Sequence, residues 1–228
     1  MAELDTDLKS IQEVRNLAVQ ARAAQRQFFD SSQEQVDRIC AAMAEAACAQ
    51  ALPLAQLAVE ETTYGRVDHK VIKNQFGSRM VWDSIKDVKT VGVLRRDDQK
   101  KIIEIGWPFG VVAGFTPSTN PTSTAMFKIL ISVKARNAIV ISPHPSAVRC
   151  TAETVRVMTE AGERAGMPKG LVSSLQTVTV PALVLAMYAV PLAAKITSAG
   201  PAPTAIGAPS WEAPVPQTLN AVTVFALR

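Results

Sequence analysis

Two short polar runs, TPSTNP at 116–121 and SPHP at 142–145, hold the residues whose types could do chemistry. The first offers the hydroxyls of Thr116 and Ser118, the stiff turn residue Pro117 and the amide of Asn120. The second offers the Ser142 hydroxyl and the His144 imidazole between Pro143 and Pro145. An amide NH2 aimed at a reacting carbonyl can stabilise a developing oxyanion. An imidazole in a loop can contact a ribose or a phosphate. Asn directly before Pro is also a helix-start signal: the Asn oxygen accepts an orphan N–H, and Pro has no N–H to waste at the first helical position. If the Asn120 oxygen caps the helix, its NH2 is left over as a donor; the plainer reading is a cap and nothing else. For His144 the plainer reading is a solvated turn residue.

The three cysteines are weaker candidates. Cys40 and Cys48 sit eight apart on one face of an expected helix and read as small core residues. Cys150 opens a helix, where the dipole can lower a thiol pKa, but the sequence offers it no general base. Three cysteines without a CxxC argue for a reducing, cytoplasmic setting without structural disulfides. The two histidines, His69 and His144, stand at no metal spacing, and His69 reads as a surface or helix-packing residue.

The elements that must position these runs are legible on either side of them. Val111, Val112, Ala113 and Phe115 form an apolar run suited to a buried parallel strand. A helix is expected from Pro121 to about Ala135, with Ala125, Ile129 and Val133 at four-residue spacing, and 138–141 is a second buried strand. Such a β-α-β unit crosses over right-handed and brings both polar runs to the carboxyl end of the sheet, where open α/β folds bind ligands. Ahead of it the spacing predicts helices over 7–28, from Ser32 through 51, from Pro53 to about 64, and from Val67 to about Lys86. Ser32 and Gln35 are placed as a capping box. A hairpin follows over 90–106. Behind the central unit come a helix over 146–165, a left-handed C-cap at Gly166, and a third strand at 171–175.

These signals divide the chain into a helical segment (1–89), a hairpin with a β-α-β-α-β unit (90–176), and a proline-rich tail (177–228). The tail shows neither strand nor helix periodicity and reads as out of frame or as the product of a truncated gene. With 48% hydrophobic and 19% charged residues and a formal charge of +4, the composition is that of an ordinary globular enzyme. The basic doublets Arg95–Arg96 and Lys100–Lys101 flank Asp97 and Asp98, so no nucleic-acid patch is expected. A membrane span is not expected either, because the weakly charged stretch 172–194 carries prolines.

GVVAGFTPSTNPTSTAMFK, KARNAIVISPHPSA and AGMPKGLV, with SSQEQVDRICAAM, PLAQLAVEET and DHKVIKNQF ahead of them, resemble the CoA-acylating aldehyde dehydrogenases. The likeness is to the acetylating acetaldehyde dehydrogenases, including the aldehyde half of bifunctional aldehyde–alcohol dehydrogenases, over residues 8–176. It implies an α/β aldehyde dehydrogenase-like fold: a truncated Rossmann-like parallel sheet, an N-terminal helical segment and an oligomerisation hairpin. It implies oxidation of a small aldehyde with NAD, acyl transfer to coenzyme A, and homo-oligomers built through 90–106. It makes Asn120 the oxyanion donor, lines the nicotinamide path with Thr116, Pro117 and Ser118, and gives Ser142, Pro143, His144 and Pro145 to the adenosine ribose. It also places the nucleophilic cysteine well beyond residue 228, and a glycine-rich diphosphate segment within 190–215, where only Ala199–Gly200–Pro201 and Ala205–Ile206–Gly207 hint at it. The expectation is therefore an N-terminal part, inactive by itself. The alternatives are a non-catalytic nucleotide-binding or subunit-interaction module, and a non-functional remnant.

Overall fold

The computed structural model describes residues 5–178 and the short strand Phe225–Leu227. Most of the tail, with its expected out-of-frame reading, lies outside the described residues. Helix α1 (Thr6–Phe28) buries Val14, Ala21, Ala24 and Phe28 along one stripe. Helix α2 (Gln33–Ala49) opens at Ser32, whose hydroxyl accepts the Gln35 N–H at 3.2 Å. Its buried stripe, Val36, Ile39, Cys40, Met43, Ala44 and Ala47, is small and apolar enough for close helix packing. Helix α3 (Ala51–Thr62) starts two residues before Pro53, which therefore sits inside the first turn where no N–H is needed. It stops at Thr63, in the left-handed conformation with φ 53°.

The single helix expected over 67–86 is instead three pieces: α4 (Val67–Gln75), one π turn (Phe76–Met80) and α5 (Val81–Ile85). At the π turn the backbone of Gly77 presses on the next helix; a Cβ there would lie 2.6 Å from the Ser123 carbonyl oxygen. Helical periodicity alone cannot register that contact.

Strands β1 (Gly92–Asp97) and β2 (Ile102–Gly106) form an antiparallel hairpin with an irregularity between Val93 and Arg95. The central unit follows as β3 (Val111–Phe115), α6 (Pro121–Lys134), β4 (Ala138–Ser142), a 3-10 turn (Pro145–Ala147), α7 (Val148–Arg164) and β5 (Val172–Ser174). The helix expected from 146 thus begins at Val148, after the 3-10 turn. Gly166 closes α7 at φ 103°. Strands β3, β4 and β5 are parallel neighbours, and Phe225–Leu227 (β6) pairs antiparallel with β3 on its other edge. Helices α1, α6 and α7 pack on this sheet, and Ile129, Leu130, Met126, Ile139, Ile141 and Met158 are fully enclosed.

Polar side chains tie the helical segment to the sheet. Arg136, at φ 58° in the turn between α6 and β4, is buried and donates to the carbonyls of Phe29 and Gly106. Glu13 of α1 accepts the N–H groups of Gln176 and Thr177 at 2.7 and 2.8 Å, fixing the end of β5. Glu61 of α3 accepts those of Arg149 and Cys150, both at 2.7 Å, and so caps α7 from another helix. No single helix among the described residues is long and apolar enough to cross a membrane.

Replacing Gly77 with Ala is expected to destabilise the protein by about 1–3 kcal/mol, because the new methyl meets backbone that cannot turn aside. The urea unfolding midpoint checks this; an unchanged midpoint would show that α6 yields freely.

Candidate active site

Both polar runs lie at the carboxyl edge of the parallel sheet, stitched to each other. The β3–β4 ladder continues beyond the strands: the Thr116 N–H donates to the Ser142 carbonyl and the His144 N–H to the Thr116 carbonyl, both at 3.0 Å. Thr116, Ser142 and Pro143 are buried, Ser118 and Asn120 are half-buried, and Pro117, His144 and Pro145 are exposed. The Thr116 hydroxyl faces that of Thr151 on α7, 3.5 Å away. The His144 Nδ1 accepts the Ser146 N–H at 3.2 Å and lies 2.8 Å from the Ser146 hydroxyl. A neutral His144 therefore carries its proton on Nε2, which makes the outer nitrogen a donor.

Asn120 occupies the cap position of α6, followed by Pro121 at the first helical position, but its side chain does not cap the helix. Its backbone carbonyl receives the first helical bond, from Thr124 at 3.2 Å. The side-chain oxygen is taken by the Lys73 ammonium at 2.8 Å. With Oδ1 engaged by a cation, Nδ2 makes one contact among the described residues, a long 3.5 Å approach to the Thr119 hydroxyl.

Lys73 is one of three polar residues that α4 turns toward this loop. Lys70, Lys73 and Asn74 stand at i, i+3 and i+4 and therefore share a face. The Lys70 Nζ donates to the Thr119 carbonyl at 2.9 Å. The Asn74 Oδ1 accepts the Thr122 hydroxyl at 2.6 Å, while its Nδ2 donates to the Ala51 carbonyl at 3.0 Å. Asn74 is fully enclosed and Lys70 is 4% exposed. Burial pushes the Lys70 pKa down, and the neighbouring Lys73 charge pushes the same way. The loop thus has its conformation set by α4 on both sides of Asn120. These three residues escape a reading of sequence alone, since lysines on a helix are expected to be solvated. The available signal is that Lys70 and Asn74 fall on the α4 stripe that faces inward.

The thiols lie elsewhere. Cys40 and Cys150 are buried, and burial pushes each thiol up to about 12, helped at Cys150 by the Glu61 carboxylate beside it. The helix dipole that could have activated Cys150 is already answered by Glu61. Cys48 is half-buried, so the expectation of two enclosed cysteines on α2 holds for Cys40 alone.

The model of the aldehyde dehydrogenase family matches residues 5–205. The chain belongs to that family. It is 45% identical over 163 residues to the bifunctional aldehyde-alcohol dehydrogenase of Escherichia coli K12, covering 72% of this chain and 18% of that protein. The acetylating aldehyde dehydrogenase of Geobacillus thermoglucosidasius superposes with a TM-score of 0.79 at 55% identity, covering 81% of this chain and 41% of that one. The propionaldehyde dehydrogenase of Rhodopseudomonas palustris, solved with bound propionyl-CoA, superposes at 0.63 with 26% identity, covering 76% of this chain and 38% of that one. This aldehyde dehydrogenase chain therefore spans from under a fifth to about two fifths of the relatives it matches. Its resemblance to acylating members and its α/β fold agree with the reading of the motifs.

In this aldehyde dehydrogenase chain a thiol reagent at pH 8 is expected to modify Cys48 rapidly, and Cys40 and Cys150 only once the chain is unfolded. Counting fast-reacting thiols with and without denaturant checks this; rapid labelling of Cys150 in the native state would contradict the burial and the Glu61 cap.

Proposed function

We propose that this chain forms the carbonyl- and cofactor-facing part of an NAD-dependent, CoA-acylating aldehyde dehydrogenase, the reaction being acetaldehyde, CoA and NAD to acetyl-CoA and NADH. The observation that carries the reading is the Asn120 amide, its oxygen engaged by Lys73, beside the His144 loop at one sheet edge. An amide so held presents its N–H2 as a fixed donor. A donor preset for the oxyanion needs no reorganisation when the thiohemiacetal forms.

The nucleophile of this proposal is not one of the three cysteines of the chain. Burial disfavours the thiolate of Cys40 and Cys150, and none of the three is in hydrogen-bond reach of Asn120 among the described contacts. The thiolate is assigned to sequence of a longer protein, following the resemblance, and the chain without it binds rather than turns over. NAD, when bound, supplies the hydride acceptor. The residues present fit it at one edge: the exposed His144 with its outer nitrogen as donor, where a ribose would lie, and Ser118 on the companion loop. Thr116, Pro117, Ser142, Pro143 and Pro145 would shape that edge, Thr116 and Ser142 through their backbone bonds.

The same chain as a subunit-pairing module is favoured by one specific observation. Val93, Leu94, Ile102, Ile103 and Ile105 of the hairpin are all exposed, which is much apolar surface for a two-stranded ribbon. Homo-oligomers built through 90–106 would cover it.

An assay of NADH formation from acetaldehyde and CoA tests where the thiolate lies. Turnover by the chain itself would overturn the assignment of the thiolate to sequence outside it. A thermal shift with NAD and no turnover is the expected result, with weaker NAD binding in His144→Ala. In a complete enzyme carrying this segment, Asn120→Ala should lower kcat about 10²–10³-fold. An unchanged kcat would reduce Asn120 to a loop residue.

A further inference from the structure

Beside Asn120 the structure holds a cavity of about 260 Å³ whose lining is basic without a single acid: Arg66, His69, Lys70 and Lys73, completed by Tyr64, Gly65, Thr119 and Asn120. Arg66 is already answered by Asp68, which it meets through two bonds of 3.1 and 2.8 Å. The two lysines are not. Each spends one N–H on an uncharged oxygen, Thr119 O for Lys70 and Asn120 Oδ1 for Lys73, and neither forms an ion pair among the described residues. An ammonium has three N–H groups, so both retain donors beyond those bonds.

Burying a cation is costly unless a counter-charge meets it. Lys70 is 4% exposed, and both its desolvation and the repulsion from the Lys73 ammonium disfavour its charged form. Stability alone would be served better by an uncharged residue, as at Asn74 one turn further along the same face. A negative group in the cavity would complete the site electrostatically.

We infer that this cavity is a binding site for a small oxyanion group, a carboxylate or a phosphate, held by Lys70 and Lys73. The cavity has room for one such group. Placing it on the substrate side of Asn120 rests on the proposed function above; the binding of an anion does not. The group could arrive as the far end of an anionic aldehyde or as a phosphate of the acyl-accepting co-substrate. Both present two or more acceptor oxygens to the lysines.

The test is a nitrogen-15 NMR titration of the full chain with sodium phosphate, with sodium acetate, and with sodium chloride at matched ionic strength. Saturable shifts at Gly65, Lys73 and the Asn120 side-chain amide with phosphate or acetate are expected. Saturation by phosphate alone points to the co-substrate, by acetate alone to an anionic aldehyde, and by both to the shared chemistry. Lys73 is exposed, so Lys73→Met keeps the fold and should weaken binding about fivefold, while Lys100→Met on the hairpin should not. Shifts that follow ionic strength alike in all three salts, or equal binding by Lys73→Met, would overturn the site. Turnover enters none of these readouts, so failure of the oxyanion role of Asn120 would leave this result standing and the reverse.

Discussion

Parallel pairing of β3 with β4 runs unbroken from Val111 opposite Ala138 to Phe115 opposite Ser142, and then outlives the strands through the bonds among Thr116, Ser142 and His144. In a parallel ladder adjacent strands point the same way, so whatever follows each of them emerges at one edge. That constraint puts the Asn120 loop next to the His144 loop. Everything else arranged here presupposes it: α6 can start where it does only because the loop ahead of it is tethered to β4, and α7 only because the loop ahead of that is tethered to β3. β4 is buried on both faces, from Ala138 to Ser142, so a slip of one residue would drive Ile139 and Ile141 into the spaces now filled by Ala138 and Val140, which is expensive in a closely packed core.

A second constraint is imposed across the sheet edge by α4. Its Lys70 and Asn74 are held in enclosed positions and bond to Thr119 and Thr122, bracketing Asn120 from either side. Buried polar contacts of this kind are valuable for definition more than for net stability, because each leaves a costly unpaired group if the geometry is lost. The exposed Lys73 then orients an amide whose backbone has already been set. The close passage of Gly77 over Ser123 is the packing counterpart of these bonds, bringing α4 and α6 near enough for side chains of ordinary length to reach across.

The N-terminal helices are attached by carboxylates acting as caps at a distance. Glu61 closes the amino end of α7, and Glu13 takes the two N–H groups that follow β5, each carboxylate oxygen accepting one bond. A carboxylate at a helix amino terminus also meets the positive end of the macrodipole. The cost falls on Cys150, whose thiolate is disfavoured first by burial and then by the same Glu61. One contact thereby stabilises the fold and removes a nucleophile from contention.

The order of elements, the parallel sheet, the family and the two loops were all written in local signals: apolar runs of strand length, four-residue spacing, a Ser32 cap, Gly166 after α7, Asn120 before Pro121. These are decided within a few residues by backbone sterics and by which side of an element must avoid water, so one chain read in order is enough. What only the tertiary structure decided are the matters that join residues far apart in the chain. Asn120 caps nothing with its side chain because Lys73, forty-seven positions earlier, offers a stronger, charged partner than a backbone N–H. The expected long helix gives way to a π turn at Phe76–Met80 where Gly77 touches Ser123, and Cys150 is silenced by its burial, with Glu61 adding to it. Composition and periodicity carry no record of such meetings, since a lysine or a glutamate reads as solvent-facing until the fold supplies its partner.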